Sequence, residues 1–502
     1  MTRTSLRELV GLLAATGIAI AVTAVVAASP RGELLFRDGD SLAVALLVRS
    51  MLEGDPQDWA FSSVLFIPEA ACFLVLKAGL PFLDVDALLA VNAVVNMVAL
   101  YGATRLAAGR REPGRSPVAW SLIALGAFGM LAASETSASR DALEPASLLL
   151  TTTYYSATVI GAVMAVGLVR RLLDTTSRRV LLGTTFALGV TTVVSTVSNP
   201  LFVAWAVAPL VVILAVRAVR DDQRVPSLSG VGALLAGAAG GMIGRIPLSE
   251  WIANSGTGYA QPALWQESMS HYAALGIERL ASPHGLAAAV LTAALIALCV
   301  VRSIRAGDGS GVIALYGWLA PALVVLGAIA LGTHAARYLA PIAFAPVLGL
   351  VARPTALPSP RLVRRAAASV AAVALAAGVV IGIPTIGAAA GRPDPDLTCV
   401  TDWVDGSGRT GAGQFWTVRL PKLHLAEPSR LVQVDHRLRG YAWLVNRTDF
   451  AVGEVTFLVE DAQTVPWDLP PPGAVPDRVI ECGRYRILDY ASYPLPLGPQ
   501  RS

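Results

Sequence analysis

The sequence predicts an α-helical polytopic membrane protein, with about eleven transmembrane helices and a small extracytoplasmic α+β domain at its C-terminal end. Three observations predict this fold class. Of 502 residues, 54% are hydrophobic and only 15% are charged, with a mean hydropathy of +0.60. A soluble chain of this length carries more charge on its surface. Apolar runs long enough to cross ~30 Å of hydrocarbon recur along the chain. The segments joining them alternate in arginine content, as membrane insertion demands.

Spans are expected over 9–29, 87–106, 118–134, 148–168, 180–197, 201–216, 228–246, 285–301, 311–331, 335–352 and 366–390. The first follows Arg3 and Arg7 and is expected to stay in place rather than be cleaved as a signal peptide. With the N-terminus in the cytoplasm, the inner segments are 1–8, 105–117, 170–179, 217–226, 302–309 and 353–365, and each holds two to four arginines. The outer loops are longer and sparser in Lys and Arg. Lysine occurs only at Lys77 and Lys422. That bias, with abundant Ala, Val and Gly, fits a GC-rich bacterial genome, and the expected location is the bacterial plasma membrane.

Residues 61–83 are apolar enough to span. Were they to do so, every later loop would invert and the arginine pattern would fail. They are therefore expected to form a second, partly embedded helix on the outer face, with Pro68-Glu69 near its start. Just before it, residues 41–54 place apolar side chains at helical spacing and predict an amphipathic surface helix. The membrane region is thus residues 1–390, with two long outer loops at 30–86 and 247–284.

After residue 390 the composition changes. The runs RLVQVDH, EVTFLVED and RVIECGRYRIL alternate as strands do, and GAGQFWTVRLPKL suits a helix. Residues 391–502 are expected to form a separate domain, ending in a disordered PLPLGPQRS tail. Cys399 and Cys482 lie in it and can pair in an oxidising compartment. Cys72 and Cys299 lie in apolar segments and read as small hydrophobes. No cysteine spacing suits zinc.

The polar residues that could do chemistry lie on the outer side. Nothing resembles a phosphate-binding glycine loop, the mild net charge of +4 gives no reason for a nucleic-acid partner, and ATP and nucleotide sugars are cytosolic. A reaction outside needs a substrate already activated there. A polyprenyl-phosphate-linked sugar supplies one, because phosphate leaves as a stable anion. The protein then needs a carboxylate to take the acceptor proton and a cation to hold the phosphate. Asp40, with Asp38 beside it, is the candidate base. The bland reading is a turn that caps the following helix. Arg337 is the candidate phosphate holder, against a plain interfacial anchor beside Tyr338. His334 reads more simply as a loop residue, and His271 lies on an outer amphipathic helix where donor or acceptor could touch it. Arg140 and Asp141 read as an ion-paired loop, Asp55 and Asp58 as a solvated one, and Asn199-Pro200 as a turn. No cofactor is required; a Mg²⁺ or Mn²⁺ ion would find carboxylate ligands at Glu69 with Asp38 or Asp40.

This layout resembles the GT-C superfamily of polyprenyl-phosphate-sugar-dependent integral membrane glycosyltransferases. RDGDS (37–41) is similar in position to the acidic motif of their first outer loop, the helices at 41–54 and 61–80 to its two surface helices, and 247–284 to the long loop after span 7. HAARYLAP (334–341) is similar to a basic RY-P element of several such families. The His-Phe-x-Lys-Pro-Pro stretch typical before the second loop helix is replaced by Phe61-Ser-Ser-Val-Leu-Phe-Ile-Pro-Glu69, so the donor class stays open. The resemblance implies transfer of a sugar to a glycan, glycolipid or protein acceptor at the bilayer's outer face. Other readings are a lipid-linked glycan polymerase or ligase, a transporter or flippase, and a non-catalytic envelope assembly factor. A transporter would favour mid-span charges and internal repeats, and neither is evident.

Overall fold

Long runs of Ala, Val, Leu and Gly with few charges fold as long helices here. The computed structural model describes residues 3–220, 223–304, 309–355, 372–373, 375–469 and 475–501. Among these, seven helices are long and apolar enough to cross a membrane: Ser5–Ala28, Val85–Ala107, Ser156–Leu173, Arg178–Ser198, Arg224–Gly244, Pro283–Ile304 and Gly309–Ala330. An eighth results if Leu375–Ala390 and Pro395–Ser407 count together as one broken span. Pro117–Ala133, Val203–Val219 and Ala336–Ala352 are apolar but shorter. The expected span 366–390 begins in residues outside those described. The chain is a polytopic, mostly helical protein with a small C-terminal sheet region.

It divides into two compact units. The first comprises Met1–Leu34, Ala90–Ile246 and Thr257–Ala390. Small residues let its helices approach closely, as packing among apolar helices requires. Gly237 and Gly241 on Arg224–Gly244 face Thr192 and Thr196 on Arg178–Ser198, where an added Cβ would lie 2.7 and 2.6 Å from the threonine Cβ atoms.

The expected span at 148–168 is displaced. The helix begins at Ser156, and residues 147–155 form one 3₁₀ turn followed by bends. This stretch is buried throughout, so its backbone groups need partners. Distant side chains provide them. Asn96 Nδ2 donates to the carbonyls of Leu149 and Thr151 at 3.0 and 3.1 Å. The Glu135 carboxylate accepts from the amides of Ala146 and Ser147, both at 2.7 Å. Arg31, 1% exposed, donates to Ser147 Oγ at 2.8 Å and to the carbonyls of Ser137, Ser139 and Glu144.

The second unit comprises Leu35–Leu89, Pro247–Gly256 and Gly391–Ser502. Its centre is a mixed seven-stranded sheet built from β2 (Gly411–Gln414), β3 (Leu431–Val434), β4 (Arg439–Tyr441), β7 (Phe457–Glu460), β8 (Arg478–Cys482), β9 (Tyr485–Asp489) and β11 (Gly498–Arg501). The strand order is β11-β4-β3-β2-β7-β9-β8. β2 and β3 are parallel, which requires a crossover, and helix Phe415–His424 supplies it. Alternation sets the two faces of the sheet. Phe457 and Val459 enter one core with Val400, Val404 and Val418. Leu458 enters the other with Val432, Val434 and Leu495. Cys399 and Cys482 form a disulfide.

Segments distant in sequence join this unit. β1 (Trp59–Ala60) pairs with β5 (Val445–Asn446), and Phe61 bridges Ile252. The first surface helix runs over Ala43–Glu53, and Leu42 precedes it without a side-chain cap. The second is shorter than expected, at Ile67–Gly79, because Phe61 is drawn into a bridge after strand Trp59–Ala60 and residues 62–66 are irregular. The tail departs most from expectation. Residues 494–502 were expected to be disordered, yet β10 (Leu495–Pro496) pairs with β6 (Glu454–Val455), and β11 pairs with β4. Leu495 is buried in the core, and that burial offsets the low strand propensity of a Pro- and Gly-rich run.

Candidate functional site

The candidate residues fall into two groups, one in each unit. In the second unit, the acidic motif is a turn. Asp38 Oδ1 accepts from the amide of Asp40 at 3.2 Å, the short-range bond that aspartate favours in turns. The carbonyls of Asp38 and Asp40 then accept from Leu42 and Ala43. Asp38 thus shapes the turn, and both carboxylates remain half-buried.

Gly39 between them is buried against helix Phe415–His424. A Cβ there would lie 3.2 to 3.3 Å from atoms of Trp416, Arg419 and Phe415. The motif is therefore seated on that helix at its one side-chain-free position. Arg419 anchors the seat. It is fully buried, lies over the Phe415 ring, and donates through Nε to the Gly39 carbonyl at 3.3 Å and through Nη1 to the Leu444 carbonyl. Burial pulls its pKa down to about 10, while the negative charges of Asp40, Asp449 and Asp38 oppose that. At neutral pH it remains a cation beside the acidic turn.

Arg37, at the start of the motif, stands 3.8 Å from Asp394, which in turn pairs with Arg484 at 2.6 Å. Asp58 is not merely solvated, since it pairs with Arg447 at 2.9 Å. Glu69 is buried in the first turn of Ile67–Gly79. Among the described residues no three His, Cys, Asp or Glu side chains gather as metal ligands. Asp38, Asp40 and Glu69 are thus not gathered as a three-ligand set. An apolar groove of about 300 Å³ lies between the two surface helices, with Leu47, Met51, Phe61, Leu74 and Trp251 in its walls.

In the first unit, Arg337 is the second residue of the 3₁₀ turn Ala336–Leu339, and its side chain is partly exposed. Its Nε donates to the Tyr155 hydroxyl at 3.3 Å, its guanidinium stands 5.8 Å from the Tyr338 ring centre, and Asp141 is 3.8 Å away. The 135–147 loop thus contributes Asp141 to Arg337. Trp205 closes the back of this group. Its ring meets Tyr155 edge-on at 5.8 Å, and its Nε1 donates to the Tyr338 carbonyl at 3.1 Å. His271 and His334 stand together, ring centres 5.2 Å apart. Beside them Tyr272 shares a hydrogen bond with Thr333 at 2.7 Å. Burial pushes the Tyr272 phenol pKa up. His271 Nε2 is shielded and meets no partner among the described residues. Asn199 behaves as a turn residue, with Nδ2 on Thr158 Oγ1 at 2.9 Å and Oδ1 accepting from Leu201.

Sequence reasoning missed Tyr155, Trp205 and Arg419. Tyr155 had a faint signal, because TTTYYS (151–156) is a polar, β-branched and aromatic run at the head of an expected span. Its backbone holds φ +69°, a conformation costly for a tyrosine and frequent at functional sites. No family model matches the chain, and no curated protein matches it in sequence.

Proposed function

We propose that the chain is an integral membrane glycosyltransferase of GT-C type. It moves a sugar from a polyprenyl-phosphate donor to a cell-envelope acceptor at the outer face of a bacterial plasma membrane. The observation that supports the reading is the acidic turn, held by the bond from the Asp40 amide to Asp38 and by the seating of Gly39, with two half-buried carboxylates. The apolar groove between the surface helices supports it as a surface suited to a hydrocarbon chain.

In this mechanism the acceptor hydroxyl oxygen attacks the anomeric carbon. The bond from that carbon to the phosphate oxygen breaks, and the polyprenyl phosphate leaves as an anion. The hydroxyl proton passes to Asp40, and the configuration at the anomeric carbon inverts. The leaving group needs no proton, so no general acid is required. Arg419 is a cation whose charge interacts with that of Asp40. Arg337 pairs with the donor phosphate, with Tyr155 and Tyr338 orienting its guanidinium. His334 and His271 flank the same group and contact the substrate.

The test is a transfer assay in membranes, with a panel of radiolabelled polyprenyl-phosphate sugars and matched expression of wild type, Asp40→Asn, Asp38→Asn and Arg337→Ala. Asp40→Asn and Arg337→Ala should each cut transfer at least ~100-fold, within the usual range for a general base. Wild-type silence beside a working control enzyme would overturn the reading. Transfer retained in all three variants would overturn the residue roles.

A further inference from the structure

We propose that Arg49 is a positioning residue for Asp40, acting through a clamp on the C-terminal end of helix Phe415–His424. Its kinetic consequence rests on the transferase reading, whereas the clamp itself is measurable without any substrate.

The carbonyls at the end of a helix have no later amide of that helix to accept from. Arg49 answers three carbonyls at and just past this end. Its Nη1 donates to Leu423 at 2.9 Å and to Leu425 at 2.8 Å, and its Nη2 donates to Ala426 at 2.7 Å. Its Nε donates to Glu53 Oε1 at 2.7 Å, one turn further along its own helix, which sets the direction of the fork. These bonds commit the guanidinium in a fixed planar geometry that a lysine cannot reproduce. The positive charge also faces the negative end of the helix dipole.

The acidic turn and Arg49 belong to one continuous stretch. The amides of Leu42 and Ala43 donate to the carbonyls of Asp38 and Asp40, so the turn runs directly into helix Ala43–Glu53. Residues 43–48 of that helix are all buried. At about 1.5 Å of rise per residue, Arg49 lies about 9 Å along the axis from Ala43. Gly39 rests on Phe415, Trp416 and Arg419 in the first half of helix Phe415–His424, and Arg49 holds the other end. Attachment at one point would let the helix pivot; attachment at two separated points fixes its direction. Asp40 adjoins the first point, so the aim of its carboxylate depends on both. A general base works only while it is aimed at the proton it takes. Asn446 adds a bond from Nδ2 to the Pro56 carbonyl at 2.7 Å, beyond the helix, so loss of Arg49 would loosen the turn without freeing it.

Full-length Arg49→Gln and Arg49→Lys would be compared with wild type by amide hydrogen exchange over residues 38–43 and by steady-state transfer kinetics. Glutamine removes the charge and the fork; lysine keeps the charge alone. Arg478→Gln is the control for general loosening, since it removes an exposed ion pair with Asp489 at the edge strand β8. Exchange over 38–43 should rise about tenfold in Arg49→Gln, recover in part in Arg49→Lys and stay at the wild-type level in Arg478→Gln. A misplacement of 1 Å can cost about 100-fold in rate, so a loosened turn should lower kcat about tenfold. The donor KM should hardly change, because the donor phosphate is assigned to Arg337 and not to this turn. Wild-type exchange over 38–43 in Arg49→Gln, or an equal rise in Arg478→Gln, would overturn the clamp. Faster exchange with kcat unchanged, or a rise in KM alone, would overturn the positioning role. Wild-type silence in the transfer assay would count against the transferase reading, and the exchange result would still decide the clamp.

Discussion

Arg337 donates its Nε to the hydroxyl of Tyr155 at 3.3 Å, and Tyr155 holds that position from a left-handed backbone at φ +69°. The bond joins a cation to a residue whose conformation is itself unfavourable. Removing the hydroxyl alone tests whether the arrangement matters to function. Tyr155→Phe keeps the ring that meets Trp205 and loses one hydrogen bond to a charged group. Such a bond is worth about 1.5 kcal/mol, or roughly tenfold in kcat/KM. In the transfer assay Tyr155→Phe should fall about tenfold with little change in melting temperature. Unchanged transfer would remove Tyr155 from the positioning of Arg337.

Arg31 makes a different kind of prediction, because its role is structural. It stands 3.7 Å from Glu135 and 3.8 Å from Glu144, and Glu144 also pairs with Arg279. Burial raises the Glu135 pKa, and the Arg31 charge opposes the rise. Arg31→Met would leave buried carboxylates without that compensation, which costs about 3–5 kcal/mol. A lowered melting temperature in detergent is expected. Arg31→Met with Glu135→Gln should recover part of the loss. If the double variant were no better than the single, charge compensation would not be the reason for the loss.

How much was legible follows from where each residue finds its partners. The apolar helices and the alternating strands are local patterns, and they stand out in the sequence. Residues 147–155 do not, because SLLL reads as the head of a span. Its irregular backbone is met by Asn96 at Leu149 and Thr151 and by Glu135 at Ser147, partners that no local periodicity reveals. Arg419 was equally hidden. One of its carbonyl partners, Gly39, is 380 positions away, and no periodicity marks a buried arginine in QFWTVRLPKL. The acidic turn was visible as letters, yet the reason for its glycine was not, since Phe415, Trp416 and Arg419 set that constraint.

Gly39→Ala should accordingly be felt. The new methyl group would meet the Trp416 and Phe415 rings and the Arg419 side chain at 3.2 to 3.3 Å, and they would have to yield by a few tenths of an ångström. The expected cost is about 1–3 kcal/mol, the usual range for overpacking. A Gly39→Ala variant that melts like wild type would show that the turn is not seated tightly on helix Phe415–His424.

Acid should loosen the second unit through three carboxylates. Burial alone would raise the pKa of Asp394, Asp435 and Asp489. Their arginine partners (Arg484 for Asp394, Arg439 and Arg501 for Asp435, Arg409 and Arg478 for Asp489) and backbone amides at the first two hold all three below the ordinary value of 3.8. A carboxyl with a depressed folded pKa adds stability that is fully present above its unfolded pKa, and that is lost as pH falls through the folded value. The melting temperature should therefore lose these contributions only as pH drops below about 4. Asp489→Asn should start lower at pH 7 and decline less over the acid range. A variant curve parallel to wild type would exclude Asp489 from the acid response.

The C-terminal strand gives the sharpest structural test, because its composition and its fold disagree. Ending the chain after Tyr493 would remove Leu495 from the core. It would also remove the Gly498 amide bond to the Leu438 carbonyl and the Arg501 carbonyl that accepts from Ala442. Arg501 also pairs with Asp435 at 2.6 Å, and of these two arginine partners Asp435 would keep Arg439. Losing a buried leucine alone costs about 2–5 kcal/mol, and β4 would become an unpaired edge. The truncated protein should melt markedly lower and be cut sooner by trypsin at Arg437, just before that edge strand, and at Arg439, its first residue. A tail that merely trails in solvent would give the opposite result, with melting and proteolysis unchanged, and the pairing of β11 with β4 would then be wrong.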